Sequence, residues 1–267
     1  MPFLVFLIAQ RKVELLTSAL RIYYQMKIPT IQGIIKRRIL VNYRADANIV
    51  QKILPSRFRP KLHNGSAVAG ICLIRLEHIR PRFAPEFVGI SSENAAHRIA
   101  VLWEDDTGKQ GEGVYIPRRD TDSFINTALG GKLFPGETNE AKFEVEDDGN
   151  RINFAMKSED EKVSVKLSGE IAESLPTDSI FSSLSEASDF FEPGSLGYSV
   201  TKNPKLLDGI TLKIKGWQVS AFQVHSVYSS FYKDEAIFPN GSIEFDHALL
   251  MQNIAHEWHN VSSLELA

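Results

Sequence analysis

The chain has 267 residues, 43% hydrophobic and 24% charged, the balance of a globular protein with a sizeable core rather than a disordered or fibrous one. With 30 basic and 33 acidic residues the net charge is -3, which excludes a global field that would draw it to nucleic acid or anionic membrane. A single cysteine, Cys72, excludes an intramolecular disulfide framework and any multi-cysteine metal site, and fits a reducing cytoplasm.

Residues 1–9, MPFLVFLIA, are apolar, but Arg11 and Lys12 follow them rather than precede them. That stretch is too short to span a bilayer and has the wrong flanks for a secretory signal. Val13, Leu16, Leu20 and Tyr24 share one side of a loosely amphipathic helix over 10–26. We therefore expect 1–25 to be an extension, helical or poorly ordered, with Met26 as an alternative start and one domain over 26–267.

Residues 36–44 are β-branched and aromatic and read as a strand. Asp46 is placed to cap a short helix carrying Ile49, Val50, Ile53 and Leu54, ended by Pro55. After the Asn64-Gly65 turn, SAVAGICLIRLEHI has the continuous apolar content of a strand buried on both faces, with Cys72 inside it as an inert thiol. Residues 80–85 read as a loop. Residues 91–120 then form two strands joined by a charged, Gly-rich turn.

Further on, Asp120 or Asp122 is expected to cap a helix over 123–129 that Gly130 and Gly131 end. Residues 138–146 and 151–157 alternate around Asp148-Gly149 as a hairpin, and Val163, Val165 and Leu167 mark another half-buried strand. A short helix over 185–191 follows, then strands over 210–215, 218–228 and 242–245. Nine or ten strands joined by tight turns, without long βαβ crossovers, predict a mainly β fold: a single-domain antiparallel barrel or cone with a few short helices.

Motifs for common chemistries are missing. His256 and His259 do not make HExxH, because position 260 is Asn, and they are read as surface or packing histidines. Neither GxGxxG, GxxxxGK[ST] nor GxSxG occurs, and the basic residues are not interleaved with aromatics as in a nucleic-acid stacking surface. The sequence calls for no metal and no cofactor.

The 91–120 hairpin is the best candidate for a site. Alternation places Glu93, Ala95, His97, Ile99, Val101 and Trp103 on one face, a mostly apolar one carrying a carboxylate and an imidazole. Glu93 and His97 are about 13 Å apart along the strand and cannot pair directly. Each is either satisfied independently at a rim, or part of a cavity in which desolvation raises the Glu93 pKa for proton transfer. By simple alternation Arg119 joins Tyr115 and Pro117, and Arg118 joins Val114 and Ile116. Either arginine could hold a small carboxylate by a two-point contact, with Asp120 in the same cluster.

Several segments taken together resemble a known family: KRRILVNYRADANIVQKILP, SSENAAHRIAV, GVYIPRRDTDS, GGKLFPG, EASDFFEPGSLGYS and FPNGSIEFDHALLMQNIAHEW. The chain from 26 to about 258 is similar to the YqjF-like branch of the acetoacetate decarboxylase-like superfamily. The resemblance implies a barrel or cone-like sheet around a polar-lined cavity. In the decarboxylases a lysine attacks a keto acid to form a Schiff base, its amine pKa lowered by a neighbouring lysine. Those lysines follow a Gly-Phe-Pro-like element. Here Leu133-Phe134-Pro135 is followed by Gly136 and Glu137, and Lys132 precedes it, so the lysine pair does not carry over. The family's substrate-side arginine is matched by Arg37 or Arg38, and its cavity glutamate by Glu93.

The resemblance thus implies a cavity for a small carboxylate or carbonyl compound without imine-forming decarboxylation. Three readings remain open: an enzyme using Glu93 for lyase- or hydrolase-like acid–base work, a small-acid binding module, and a structural or interaction protein. The candidate site residues are Glu93 as catalytic and Arg37, Arg38, His97, Tyr115, Arg118, Arg119 and Asp120 as ligand-binding. A homo-oligomer is compatible with all three.

Overall fold

A computed structural model of the protein describes residues 30–104, 108–123 and 136–266. The expected extension over 1–25, the helix over 123–129 and the Leu133-Phe134-Pro135 element therefore lie wholly or almost wholly outside the described residues.

The first strand, β1 (Ile31–Ala45), leads into α1 (Ala47–Ile53), whose N-cap Asp46 accepts hydrogen bonds from the Asn48 and Ile49 amides at 2.7 and 3.0 Å. Two short strands, β2 (Arg59–Pro60) and β3 (Leu62–His63), precede the long β4 (Ser66–Pro81). The hairpin read over 91–120 is β5 (Ile90–Glu104) with β6 (Gln110–Thr121). There follow β7 (Asn139–Asp147), β8 (Arg151–Ser158), β9 (Ser164–Ala172), α2 (Leu184–Phe191), β10 (Leu196–Val200), β11 (Leu206–Ile214), β12 (Ser220–Ser229) and β13 (Ile243–Glu265). The strand expected over 242–245 is in fact 23 residues long. His256 and His259 accordingly stand on a strand, with His256 buried against Trp258 and His259 bonded to Glu257 at 2.9 Å.

All 13 strands belong to one sheet. Its core is a wall ordered β13-β1-β4-β5-β6, and each edge of that wall forks. On one side β6 pairs with β10, β10 with β11 and β11 with β13, closing a smaller ring. On the other, β6 continues through β7, β8, β9 and β12 back to β13, closing a larger ring. Two pairings are parallel, β6 with β10 and β6 with β7, so the sheet departs there from the antiparallel expectation.

The party wall explains the composition of β4. Ala67, Ala69, Ile71 and Leu73 face the core of the larger ring, whereas Val68, Cys72, Ile74 and Leu76 face the smaller one. A strand with an interior on both sides has no solvent face, hence its unbroken apolar run. The larger ring is filled by aromatic and aliphatic side chains, among them Phe58, Tyr115, Phe154, Phe222 and Tyr232. The smaller ring is capped by Phe181 and by Ala187 and Phe191 of α2. Among the described residues, no helix is long and apolar enough to cross a membrane.

Candidate functional site

A cavity of about 130 Å³ lies inside the smaller ring, lined by Arg38, Cys72, Asn94, Arg98, Arg119 and Trp258 together with apolar side chains. It is roughly ten times the ~10–15 Å³ that one water needs. Three guanidiniums therefore share one cavity, one from β1, one from β5 and one from β6.

Alternation along β5 places Arg98, and two bulges place the other two. Between the pairs Ile35↔Leu76 and Arg37↔Arg75, β1 advances two residues while β4 advances one. That extra residue turns Arg37 into the larger ring and leaves Arg38 facing the cavity. Between Ile99↔Tyr115 and His97↔Arg118, β6 advances three residues while β5 advances two. The bulge, at Pro117, sends Arg119 to the cavity beside Val114 and Ile116. This corrects the simple alternation, which grouped Arg118 with those two residues.

Each cavity arginine is held differently. Arg38 donates from Nε to Cys72 Sγ at 3.3 Å and from Nη1 toward Met251 Sδ at 3.9 Å. Arg98 donates from Nη2 to Asn42 Oδ1 at 2.5 Å, and its Nε has no partner. Arg119 makes no side-chain hydrogen bond or ion pair among the described residues, and its buried Nε is unpartnered. Burial pushes the Arg98 and Arg119 guanidiniums down to about 10, still charged at neutral pH.

Behind Arg98 runs a buried polar chain. Asn42 Nδ2 lies 3.0 Å from His247 Nε2, and His247 Nδ1 lies 2.5 Å from Asp246 Oδ2. Asp246 also accepts from Ser179 Oγ at 2.7 Å and the Ile180 amide at 2.9 Å. Burial favours protonation of Asp246, but these hydrogen bonds outweigh it and hold the carboxyl below its usual range. The chain fixes Asn42 with its oxygen toward Arg98. Gly70 gives the pair room, since a Cβ there would lie 2.5 Å from the Val41 carbonyl and 3.4 Å from Arg98 Nη2. Gly70→Ala is expected to cost about 1–3 kcal/mol, read as a lower midpoint in urea unfolding.

The other predicted residues are placed elsewhere. Glu93, His97, Tyr115 and Arg118 face the larger ring, across the wall from the cavity. Glu93 accepts from Arg37 Nη2 at 2.6 Å, and Arg37 Nη1 reaches Asp147 at 3.1 Å. Burial raises the Glu93 carboxyl, with Arg37 opposing it. His97 is fully buried, 3.2 Å from Ser229 Oγ and packed on Phe231, and burial pushes it down to about 3. Tyr115 packs on Phe58 in the core. Arg118 is held by Asp120 at 2.7 Å and Asp160 at 2.9 Å, so Asp120 borders the cavity with its carboxylate committed elsewhere.

Sequence reasoning missed Arg98, Asn42, His247 and Asp246. The available signal was Arg98 itself, an arginine between Ala96 and Ala100 on a face that is otherwise small and apolar. Among the described residues, no three His, Cys, Asp or Glu side chains are grouped to hold a metal ion.

A family model described as an uncharacterized conserved protein, DUF2071, matches residues 35–228. A search of curated proteins finds no match. Among solved structures, the chain is similar to an acetoacetate decarboxylase-like enzyme from Sphingomonas wittichii RW1, at 11% identity and TM-score 0.55 over 91% of this chain and 95% of that one. It is also similar to the enduracididine biosynthesis enzyme MppR complexed with pyruvate, at 11% identity and TM-score 0.54 over 89% and 90%. The acetoacetate decarboxylase of Legionella pneumophila matches at 13% identity and TM-score 0.51, over 87% of each chain. At these identities the likeness is one of fold.

Proposed function

This chain belongs to the DUF2071 family and has the acetoacetate decarboxylase-like fold, and on that footing we propose that it binds a small organic acid in the smaller ring without forming an imine. The observation that carries this reading is the meeting of Arg38, Arg98 and Arg119 in one cavity with no carboxylate bonded to any of them among the described residues. Arg98 is buried and Arg38 and Arg119 are half-buried; cations withdrawn from water without counter-ions are costly, and an anionic ligand supplies what the protein withholds. That a solved neighbour holds pyruvate favours a keto acid or another compact carboxylate.

Binding rather than turnover is supported by the rest of the lining. Its described residues include no lysine, and Glu93, the candidate for acid–base work, lies across the wall with His97. Asn94 is occupied in bonds to Ser92 and Thr121. The test is a thermal-shift screen of small organic acids with borohydride trapping in parallel. At a hundredfold excess over Kd an acid is expected to stabilise the protein by about 2.7 kcal/mol. Arg119→Met should reduce that shift, and no lysine adduct should form with a keto acid. If no acid shifts the folded protein, the binding reading fails; a trapped lysine adduct would refute the imine-free part.

A further inference from the structure

Resting on that reading, we propose that the ligand is a short dicarboxylate rather than a monocarboxylic acid. The argument is one of charge and of placement. Arg38, Arg98 and Arg119 bring three positive charges to the cavity. Asp208, whose charge favours the charged form of Arg119, is bonded to the Gly136 amide at 3.2 Å and the Ser263 hydroxyl at 2.8 Å. Asp120 also borders the cavity but is bonded to Arg118, so none of the three guanidiniums has a bonded carboxylate among the described residues. One carboxylate engages one guanidinium by a fork of two hydrogen bonds, which would leave a second cation unmatched.

The cations also enter from separate points. β4 lies between β1 and β5, and β6 lies beyond β5. At about 4.8 Å per strand spacing, the Arg38 strand is about 10 Å from that of Arg98 and about 14 Å from that of Arg119. Side chains converging from such spread positions suit two anionic groups on a short carbon spine better than one compact group. The apolar remainder of the lining, Ile74, Val114, Ile116 and Leu212, suits the methylenes of that spine. Arg98, fixed through Asn42, His247 and Asp246, is the pre-set anchor, and Arg119, whose side chain has no bonded partner among the described residues, is the one completed by the ligand.

Isothermal titration of the full chain at low ionic strength tests this, with succinate and glutarate set against butyrate and pentanoate. At least one diacid is expected to bind tenfold or more tightly than the monoacid of the same length. Arg119→Met and, independently, Arg38→Met should bring the pair within about threefold by weakening the diacid. Each removes a guanidinium with no bonded carboxylate among the described residues, so each is expected to remain folded with an unfolding midpoint no lower than the parent's. Equal binding of diacids and monoacids would overturn the dicarboxylate while leaving the small-acid reading intact. Binding of none of the four would overturn both.

Discussion

Arg37→Met is expected to destabilise the protein by about 3–5 kcal/mol, the loss typical of removing one member of a buried ion pair. The guanidinium is 3% exposed and bridges Glu93 at 2.6 Å and Asp147 at 3.1 Å. Without it, Glu93 stays buried in the larger ring with its principal counter-charge gone, and it must either protonate or draw in water. Glu93→Gln alone should cost less, because Arg37 retains Asp147. The double variant Arg37→Met/Glu93→Gln should recover at least half of the Arg37→Met loss, since nothing charged is then stranded. Urea unfolding of the four proteins closes the cycle. An Arg37→Met loss below about 1 kcal/mol would contradict a buried pair. The same set separates structure from binding: Glu93→Gln should leave acid affinity in the cavity unchanged.

Stability should also fall steeply with acid, well before the carboxylates titrate. Burial holds His97 down to about 3, with Arg118 adding to the shift, and holds His256 down to about 4, with Arg38 adding. Both folded values lie below the unfolded value of about 6.5. Below pH 6.5 the unfolded chain therefore takes up protons that the folded one refuses, and stability drops as pH falls toward 4 and 3. Between pH 7 and pH 5 each histidine costs about 2 kcal/mol, and the two together remove about 4 of a typical 5–15. Unfolding free energies at the two pH values should show this loss, and His97→Gln/His256→Gln should flatten most of it. An unchanged slope in the double variant would mean that the histidines are protonated in the fold.

The sequence shows the strands well, because alternation and turn residues are local signals. It shows β4 as doubly buried for the right physical reason, an unbroken apolar run. It names Arg38, Arg119 and Asp120 of the cavity lining but does not separate them from Glu93 and His97 across the wall, because side-chain direction depends on counting by twos, and a single extra residue reverses it. Lys36 and Pro117 are such residues, and proline inside a strand was the visible warning at the second. Glu93 drew attention as a carboxylate on an apolar face, yet its partner Arg37 comes from another strand, which no local pattern reveals. The length of β13 was hidden likewise, since its polar outer half is ordered by pairing with β1 and β11 rather than by its own composition.

The party wall also bears on how the chain reaches its native state. Both rings close on β13, which pairs with β1 from Ile31↔Trp258 to Ala45↔Ile243, some two hundred residues apart. Neither interior can be sealed until that strand has been synthesised, so β1 keeps an open edge while the residues between the two strands are made. Contacts so remote in sequence make assembly slow. One late docking event then completes two cores at once and with them the cavity, whose arginines come from strands made long before.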